Sequence, residues 1–133
     1  MSPTRILGAG IDLVENARLQ ELIDRWGARF LDRVFLRAEQ DYCASKAFPC
    51  RHYAGRFAVK EAVSKAFGTG FGPSIGWLDI EVVRDAASGA PSVRLANKAR
   101  ELAAARGVAA VLVSLSHTRR YAVAQALLIG EDA

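Results

Sequence analysis

The residues best placed to do chemistry are a carboxylate and an ammonium in the alanine-rich stretch 54–67. Glu61 and Lys65 lie four positions apart, so on a helix their side chains project from the same face. Alanine, valine and phenylalanine fill most of the other positions, which predicts burial of this helix on several sides. A carboxylate there is costly unless a cation or hydrogen bonds compensate it. Spacing alone favours an ordinary ion pair worth about 0.2–0.5 kcal/mol.

A second carboxylate stands in an apolar segment near the start of the chain. Asp12 belongs to a stretch with the period-two alternation of a strand, in which Gly8 and Gly10 leave room for another backbone or a ligand. One carboxylate from a strand and one from a helix can together hold Mg²⁺, which keeps several waters and also binds substrate phosphates. The local pattern by itself favours a different role for Asp12, that of capping the turn after the strand.

A glycine-rich turn, Gly68-Thr69-Gly70, directly follows the alanine-rich stretch. Glycines let a backbone come close to phosphates and offer its N–H groups to them. The turn matches neither the Walker A sequence nor the dinucleotide-binding fingerprint. A plain helix stop explains it equally well.

The histidines and cysteines could suggest a catalytic serine or a zinc site. His117 follows Ser114 and Ser116, but the chain has no G-x-S-x-G elbow and the serines belong to a predicted strand. The four candidate zinc ligands lack the spacing of a zinc finger or ribbon. They are Cys43, Cys50, His52 and His117. We therefore assign neither kind of site.

Three arginines, Arg18, Arg25 and Arg29, are spaced by seven and four and line one side of a predicted helix. The net charge is +4 and fourteen of the eighteen cations are arginine, whose forked guanidinium suits carboxylates and phosphates. A solvated basic surface is the usual explanation of such a row. Nucleic-acid binding is disfavoured because Glu21 and Asp24 interrupt the basic surface.

Length and composition predict a single domain, 1–133, of a globular protein with 51% apolar and 24% charged residues. The longest apolar run, near 108–115, is far shorter than the roughly 18–20 residues that a membrane span needs, so no membrane partner is expected. The start of the chain lacks a signal-peptide apolar stretch, and two cysteines fit a reducing compartment. We expect a cytoplasmic protein.

The hydrophobic pattern predicts strands and helices interspersed along the chain. Strands are predicted at 6–13, 78–84, 92–95, 110–116 and 121–129, and helices at 17–30, 38–47, 54–67 and 97–106. Residues 117–120 form the bend of a hairpin between the last two strands. Because the later strands pair as hairpins, the pattern favours an α+β fold over a doubly wound sheet.

Taken together, several short blocks resemble the holo-acyl-carrier-protein synthases, the small trimeric group of phosphopantetheinyl transferases. The blocks are GIDLV at 10–14, RVF at 33–35 with Glu39, AGRFAVKEAVSKAFGTG at 54–70, DIEV at 79–82, VSLSHT at 113–118 and YAVA at 121–124. Each block is weakly specific alone, but all of them occur in the family's order and span nearly the whole chain. The resemblance implies an α+β fold, an antiparallel sheet packed with helices, that assembles as a homotrimer.

The resemblance also implies an activity. Such enzymes move 4′-phosphopantetheine from coenzyme A to a serine of apo acyl carrier protein, with Mg²⁺ as cofactor, in fatty acid biosynthesis. It implies that Asp12 and Glu61 bind the metal and, with Lys65, are catalytic. Coenzyme A would be bound by Arg56, Lys65, Gly68, Thr69, Gly70, His117 and Thr118. Arg18, Arg25 and Arg29 would dock the acidic carrier protein.

The chain departs from the family at Leu36, where these proteins usually have threonine, so any hydroxyl role at that position is in doubt. A transferase acting on polyketide or peptide synthase carriers is the main alternative. Relatives of that type are usually about twice as long, so the length of this chain favours the fatty-acid type. Intact Asp12, Glu61 and Lys65 argue against a non-catalytic subunit with the same fold.

Overall fold

The computed structural model describes residues 4–131 as five strands and five helices with one 3₁₀ turn. The strands are β1 (Thr4–Glu15), β2 (Ile80–Arg84), β3 (Pro91–Leu95), β4 (Val108–His117) and β5 (Tyr121–Glu131). The helices are α1 (Asn16–Trp26), α2 (Ala28–Val34), α3 (Arg37–Ala44), α4 (Pro49–Ala66) and α5 (Asn97–Ala105), and the 3₁₀ turn is Trp77–Asp79. Within the described residues, no helix is both long and apolar enough to cross a bilayer.

The strands form two antiparallel sheets, which confirms the predicted α+β class. One sheet has the order β1-β5-β4, and the other is the hairpin of β2 and β3. In the larger sheet, Asp12 lies opposite Ala124 and His117 lies opposite Ala122. The predicted hairpin of the last two strands is confirmed, with its bend at residues 118–120.

Helix α4 lies directly on β1 because two glycines remove the side chains that would separate them. A Cβ added at Gly8 would lie 2.2 Å from the carbonyl oxygen of Ala66, and one added at Gly10 would lie 2.0 Å from that of Ala62. Any larger residue would push the helix away from the strand. The prediction that these glycines permit close approach is confirmed, and the approaching group is the α4 backbone.

The opposite side of the larger sheet is apolar but uncovered in the single chain. We call it the outer sheet face and define it by Ile6, Ile11, Leu13 and Leu112, whose exposed fractions are 55–65%. The alternation of β1 places Ile11 and Leu13 on this side and Gly10 and Asp12 on the α4 side.

The predicted helix 17–30 is wrong as a single element. It breaks at Gly27, where φ is 54°, so α1 ends at Trp26 and α2 begins at Ala28. The sequence pattern continues across the break because α2 also turns an apolar side, including Phe30, towards the core.

The observed first residues of α4 and β2 also differ from the predicted ones. Pro49 is the first residue of α4, so the helix begins five positions before residue 54, as proline at the first helical position permits. Trp77–Asp79 forms a 3₁₀ turn, so β2 begins at Ile80 rather than at 78.

A fully buried ion pair ties α4 to its neighbours. The Lys60 ammonium lies 2.8 Å from a Glu39 carboxylate oxygen and donates hydrogen bonds to the carbonyl oxygens of Val34, at 2.9 Å, and Trp77, at 3.1 Å. Glu39 also accepts hydrogen bonds from the backbone amide just before α3 and from an amide of β2. This cluster holds α2, α3, β2 and the 3₁₀ turn around α4.

Candidate functional site

The structure brings Asp12, Glu61 and Lys65 together between β1 and α4. The Lys65 ammonium lies 2.7 Å from Asp12 Oδ1 and donates to the carbonyl oxygen of Ile11 at 3.2 Å. All three residues line an open cavity of about 420 Å³, which we call the carboxylate cavity. Asp12 therefore faces α4 and does not cap the turn after its strand.

Close packing of β1 on α4 creates this grouping. Gly8, Gly10 and Asp12 alternate on the side of β1 that faces the helix, and Gly10 touches the helix backbone beside Glu61. The missing side chain at Gly10 lets the two carboxylates approach each other. Lys65 then follows Glu61 by one helical turn.

The two carboxylates are close enough to perturb one another. The pKa of Glu61 is raised above its ordinary value, chiefly by burial and then by the negative charge of Asp12, while Lys65 acts in the opposite direction. A raised acid pKa means that the ionised form lacks compensation. The site therefore favours an additional cation.

The donor set fits magnesium. Nowhere in residues 4–131 do three or more His, Cys, Asp or Glu side chains gather as metal ligands. A metal ion in the carboxylate cavity would be held by the carboxylates of Asp12 and Glu61. Mg²⁺ prefers oxygen ligands and usually combines one or two carboxylates with waters and substrate phosphates. Two acids in an open cavity leave room for those other ligands.

Arg56 and His117 line a different cavity of about 380 Å³, which we call the basic cavity. Arg56 is only 7% exposed, its guanidinium stacks 4.1 Å from the Tyr42 ring, and its Nε has no hydrogen-bond partner among the described residues. The other Lys, Arg and His residues of its lining are Lys46, Arg51, His52 and Arg84. None of the described residues that line it is acidic, so the cavity suits an anion.

Thr118 lies at the bend of the β4–β5 hairpin, next to His117. Its hydroxyl oxygen accepts hydrogen bonds from the amides of Arg120, at 3.3 Å, and Tyr121, at 3.1 Å. The Thr118 side chain therefore stabilises the bend that carries His117 at the edge of the basic cavity.

The turn Gly68-Thr69-Gly70 closes the C-terminal end of α4. The amide of Gly68 donates to the Lys65 carbonyl, and those of Thr69 and Gly70 donate to the Ser64 carbonyl. Gly68 and Gly70 have φ values of 76° and 60°, which favour glycine. The helix-stop interpretation therefore describes this turn, and its N–H groups are already hydrogen-bonded.

The residues assigned to coenzyme A do not meet in one place within the chain. Arg56 and Lys65 are nine positions apart on α4, which corresponds to about half a turn around the helix axis and roughly 13 Å along it. The basic cavity and the carboxylate cavity have no lining residue in common within the described chain.

The three arginines of the predicted docking row lie on two helices. Arg18 lines the carboxylate cavity, while the guanidinium groups of Arg25 and Arg29 lie 5.3 and 5.8 Å from the centre of the Trp26 ring. Trp26 is 46% exposed. With Arg29, Trp26 lines a cavity of about 310 Å³ whose other residues are Leu22, Phe30 and Arg33.

Sequence reasoning missed several residues at these sites. Trp26 lies between Arg25 and Arg29, and the spacing of the arginines alone does not identify it. His52 was considered only as a zinc ligand. Lys46 and Arg84 reach the basic cavity from other elements, and no sequence signal identified them.

Comparisons with known proteins identify the family of this chain. A family model described as the 4′-phosphopantetheinyl transferase superfamily matches residues 8–126. The holo-[acyl-carrier-protein] synthase of Protochlamydia amoebophila is 46% identical over 91% of this chain and 96% of its own. The crystal structure of the Helicobacter pylori holo-[acyl-carrier-protein] synthase in complex with coenzyme A is 31% identical, with a TM-score of 0.80 over 90% of this chain and 98% of that one.

A further structure, the Neisseria meningitidis holo-[acyl-carrier-protein] synthase, has a TM-score of 0.86 and 26% identity over 97% of this chain and all of that one. The matches in sequence and in fold thus cover nearly the whole chain. The chain belongs to the 4′-phosphopantetheinyl transferase superfamily and, within it, to the holo-[acyl-carrier-protein] synthases.

Proposed function

We propose that this protein transfers 4′-phosphopantetheine from coenzyme A to a serine of apo acyl carrier protein, in fatty acid biosynthesis. The serine oxygen bonds to the phosphorus nearest pantetheine as the bond from that phosphorus to the bridging oxygen breaks. Adenosine 3′,5′-bisphosphate leaves, and the serine proton passes to solvent or to a base. The observation that carries the proposal is the grouping of Asp12, Glu61 and Lys65 in an open cavity of a chain from this family.

Asp12 and Glu61 would hold Mg²⁺ in the carboxylate cavity. When bound, the ion supplies positive charge that stabilises a diphosphate and its leaving group. Lys65, whose side chain is 50% exposed, is free to turn from Asp12 towards the diphosphate. Phosphoryl transfer depends mainly on positioning and electrostatics, so these residues are sufficient without an enzyme nucleophile.

The basic cavity would bind the remaining phosphate of coenzyme A, the 3′-phosphate. The diphosphate occupies the carboxylate cavity in this proposal, and the buried Arg56 with its unpartnered Nε supports an anion site in the basic cavity. His117 lines the same cavity, while Thr118 holds the bend beside it. The open turn at Gly68, Thr69 and Gly70 lies at the Lys65 end of α4, where added side chains would meet nothing within 4 Å at either glycine.

A homotrimer would join the two cavities across subunit boundaries. Arg56 and Lys65 lie on opposite sides of α4, so one extended coenzyme A can contact both kinds of cavity if neighbouring chains supply them. The outer sheet face, with Ile11 and Leu13 64% and 65% exposed, supports burial of this surface between copies. Residues 1–133 would act as one domain, and the two free cysteines support work in the cytoplasm.

The experiment that tests the activity is replacement of Glu61 with glutamine. We expect Glu61→Gln to retain the fold but to lose holo-carrier formation by at least roughly a hundredfold, because one metal-binding carboxylate is removed. Product is measured as the mass increase of apo carrier protein incubated with coenzyme A and magnesium. Glu101→Gln, an exposed change on α5, is the matched control. Near-normal magnesium-dependent turnover by Glu61→Gln would contradict the metal assignment.

Arg18, Arg25 and Arg29 would dock the acidic carrier protein, with Trp26 as an apolar contact between two of them. Reversing the charges of Arg25 and Arg29 to glutamate should raise the KM for carrier protein roughly tenfold or more and spare coenzyme A binding. The control reverses Lys98 and Arg100 on α5 instead. Equal losses for both substrates would argue against docking by this surface.

A further inference from the structure

His52 lines the basic cavity. Its ring lies between two aromatic neighbours, edge-on to Tyr42 at 5.8 Å and to His117 at 5.7 Å between ring centres. Tyr42 comes from α3 and His117 from β4, so the ring is held from both sides.

Every charged group that faces His52 from the lining of the cavity is cationic or titrates to a cation. These groups are Arg51 and Arg56 on its own helix, Lys46 from the segment between α3 and α4, Arg84 from β2 and His117 from β4. Tyr42 faces the ring from α3, and no Asp or Glu lines the cavity within the described residues. The lining of the cavity therefore disfavours a proton on His52.

The pKa of His52 reflects this environment. Burial lowers it most, and His117, Arg56, Lys46 and Arg51 lower it further. The imidazole is therefore neutral at neutral pH. A neutral imidazole donates one N–H hydrogen bond, whereas the protonated ring donates two and carries a charge.

We propose that His52 is a phosphate-binding residue for coenzyme A and takes up a proton when the 3′-phosphate enters the basic cavity. The proposal rests on the proposed function. A dianionic phosphate offsets part of the cationic field at the ring and can accept a hydrogen bond from it, so the pKa of His52 rises in the complex. No step of covalent chemistry is involved, and the proton comes from solvent.

Two variants separate this role from simple packing. His52→Phe keeps a flat ring between Tyr42 and His117 but has no N–H group. His52→Gln keeps hydrogen-bonding capacity but cannot take up a proton. Since the chain has only two histidines, one variant also assigns their NMR signals without ambiguity.

The test is isothermal titration calorimetry at about pH 7.5, where a phosphomonoester with a pKa near 6 is already dianionic. Titrations in buffers of different ionisation enthalpy count the protons taken up, with coenzyme A and with dephospho-coenzyme A as the two probes. We expect the native protein to take up a fraction of a proton with coenzyme A and much less with dephospho-coenzyme A. Both variants should lose that uptake, and His52→Phe should bind coenzyme A roughly tenfold more weakly.

The affinity of the native protein for coenzyme A should also rise as pH falls from about 8 towards 7, and this rise should disappear in His52→Gln. Unchanged proton uptake in both variants, or equal uptake with the two probes, would overturn the proposal. If His52→Phe binds coenzyme A as tightly as the native protein, His52 contributes packing alone and the proposal is wrong. A native protein that binds neither probe would overturn the proposed function and this inference with it.

Discussion

Helix α4 carries two lysines, five positions apart, whose surroundings are opposite. Lys60 is completely buried, and its partner Glu39 is 1% exposed at the side chain. Lys65 is 50% exposed, and its partner Asp12 is 14% exposed. Both ion pairs have short contacts, of 2.8 and 2.7 Å, so distance does not distinguish them.

The difference lies in how completely each pair is satisfied. The Lys60 ammonium uses its three donors on Glu39 and on two carbonyl oxygens, which leaves it no capacity for a ligand. Lys65 has two partners in an open cavity and stands beside Glu61, whose pKa is raised. A charged group whose hydrogen-bonding capacity is fully used stabilises the fold. One with unused capacity in an open cavity is available to bind a ligand.

The largest expected effect is on stability, at the buried pair of Lys60 and Glu39, which we call the closed pair. Lys60→Met should lower the free energy of unfolding by about 3–5 kcal/mol, because it leaves the Glu39 carboxylate buried without its cation. Urea denaturation followed by circular dichroism measures this change. The double variant Lys60→Met with Glu39→Gln should recover part of the loss, since the buried charge is gone. A loss below about 1 kcal/mol in the single variant would mean that the closed pair does not hold the fold.

The pair of Lys65 and Asp12, which we call the open pair, should respond in the opposite way. Lys65→Met should change the free energy of unfolding by no more than about 1 kcal/mol, since an exposed ion pair contributes little. It should lower kcat/KM for coenzyme A by roughly a hundredfold, because a positive group beside the diphosphate is lost. Lys65→Arg, which keeps the charge, should retain more activity than Lys65→Met. Equal activity of the two variants would show that charge at this position is not required.

The sequence predicts the secondary-structure elements better than it predicts which side chains pair with each other. The hairpin bend, the α+β class and the buried alanine-rich helix follow from local periodicity and glycine positions, and the structure confirms them. Sequence spacing could not separate Lys60 from Lys65, because the partner that buries Lys60 lies on α3, far along the chain. The break at Gly27 was missed because the apolar stripe continues through it.

The two cavities also show that sequence spacing does not reveal contributions from distant elements to a site. Asp12 and Glu61 could be suspected as a pair from one acid in a strand and one on a helix. Their approach depends on the close packing at Gly10, which the sequence also predicts. The basic cavity collects Lys, Arg and His side chains from α4, β2, β4 and the segment before α4. No local pattern contains that set, so His52 could not be assigned to it from spacing.

The smallest expected effect concerns Glu61 in the absence of metal. Because its folded-state pKa is raised, the stabilising effect of its protonated form is present below the unfolded pKa and is lost as pH rises through the folded value. Glu61→Gln should therefore be more stable than the native protein near pH 7.5 in EDTA, by no more than about 1 kcal/mol after solvent screening. This gain should vanish near pH 4.

Magnesium should reverse that order, because a bound cation stabilises the ionised form of Glu61 and has one ligand fewer in the variant. Urea denaturation with EDTA and with magnesium, at both pH values, measures the four free energies, and Glu101→Gln serves again as the exposed control. A variant less stable than the native protein in EDTA at pH 7.5 would mean that Glu61 already has all the compensation it needs. The open pair would then resemble the closed one, and the contrast between the two lysines would lie in exposure alone.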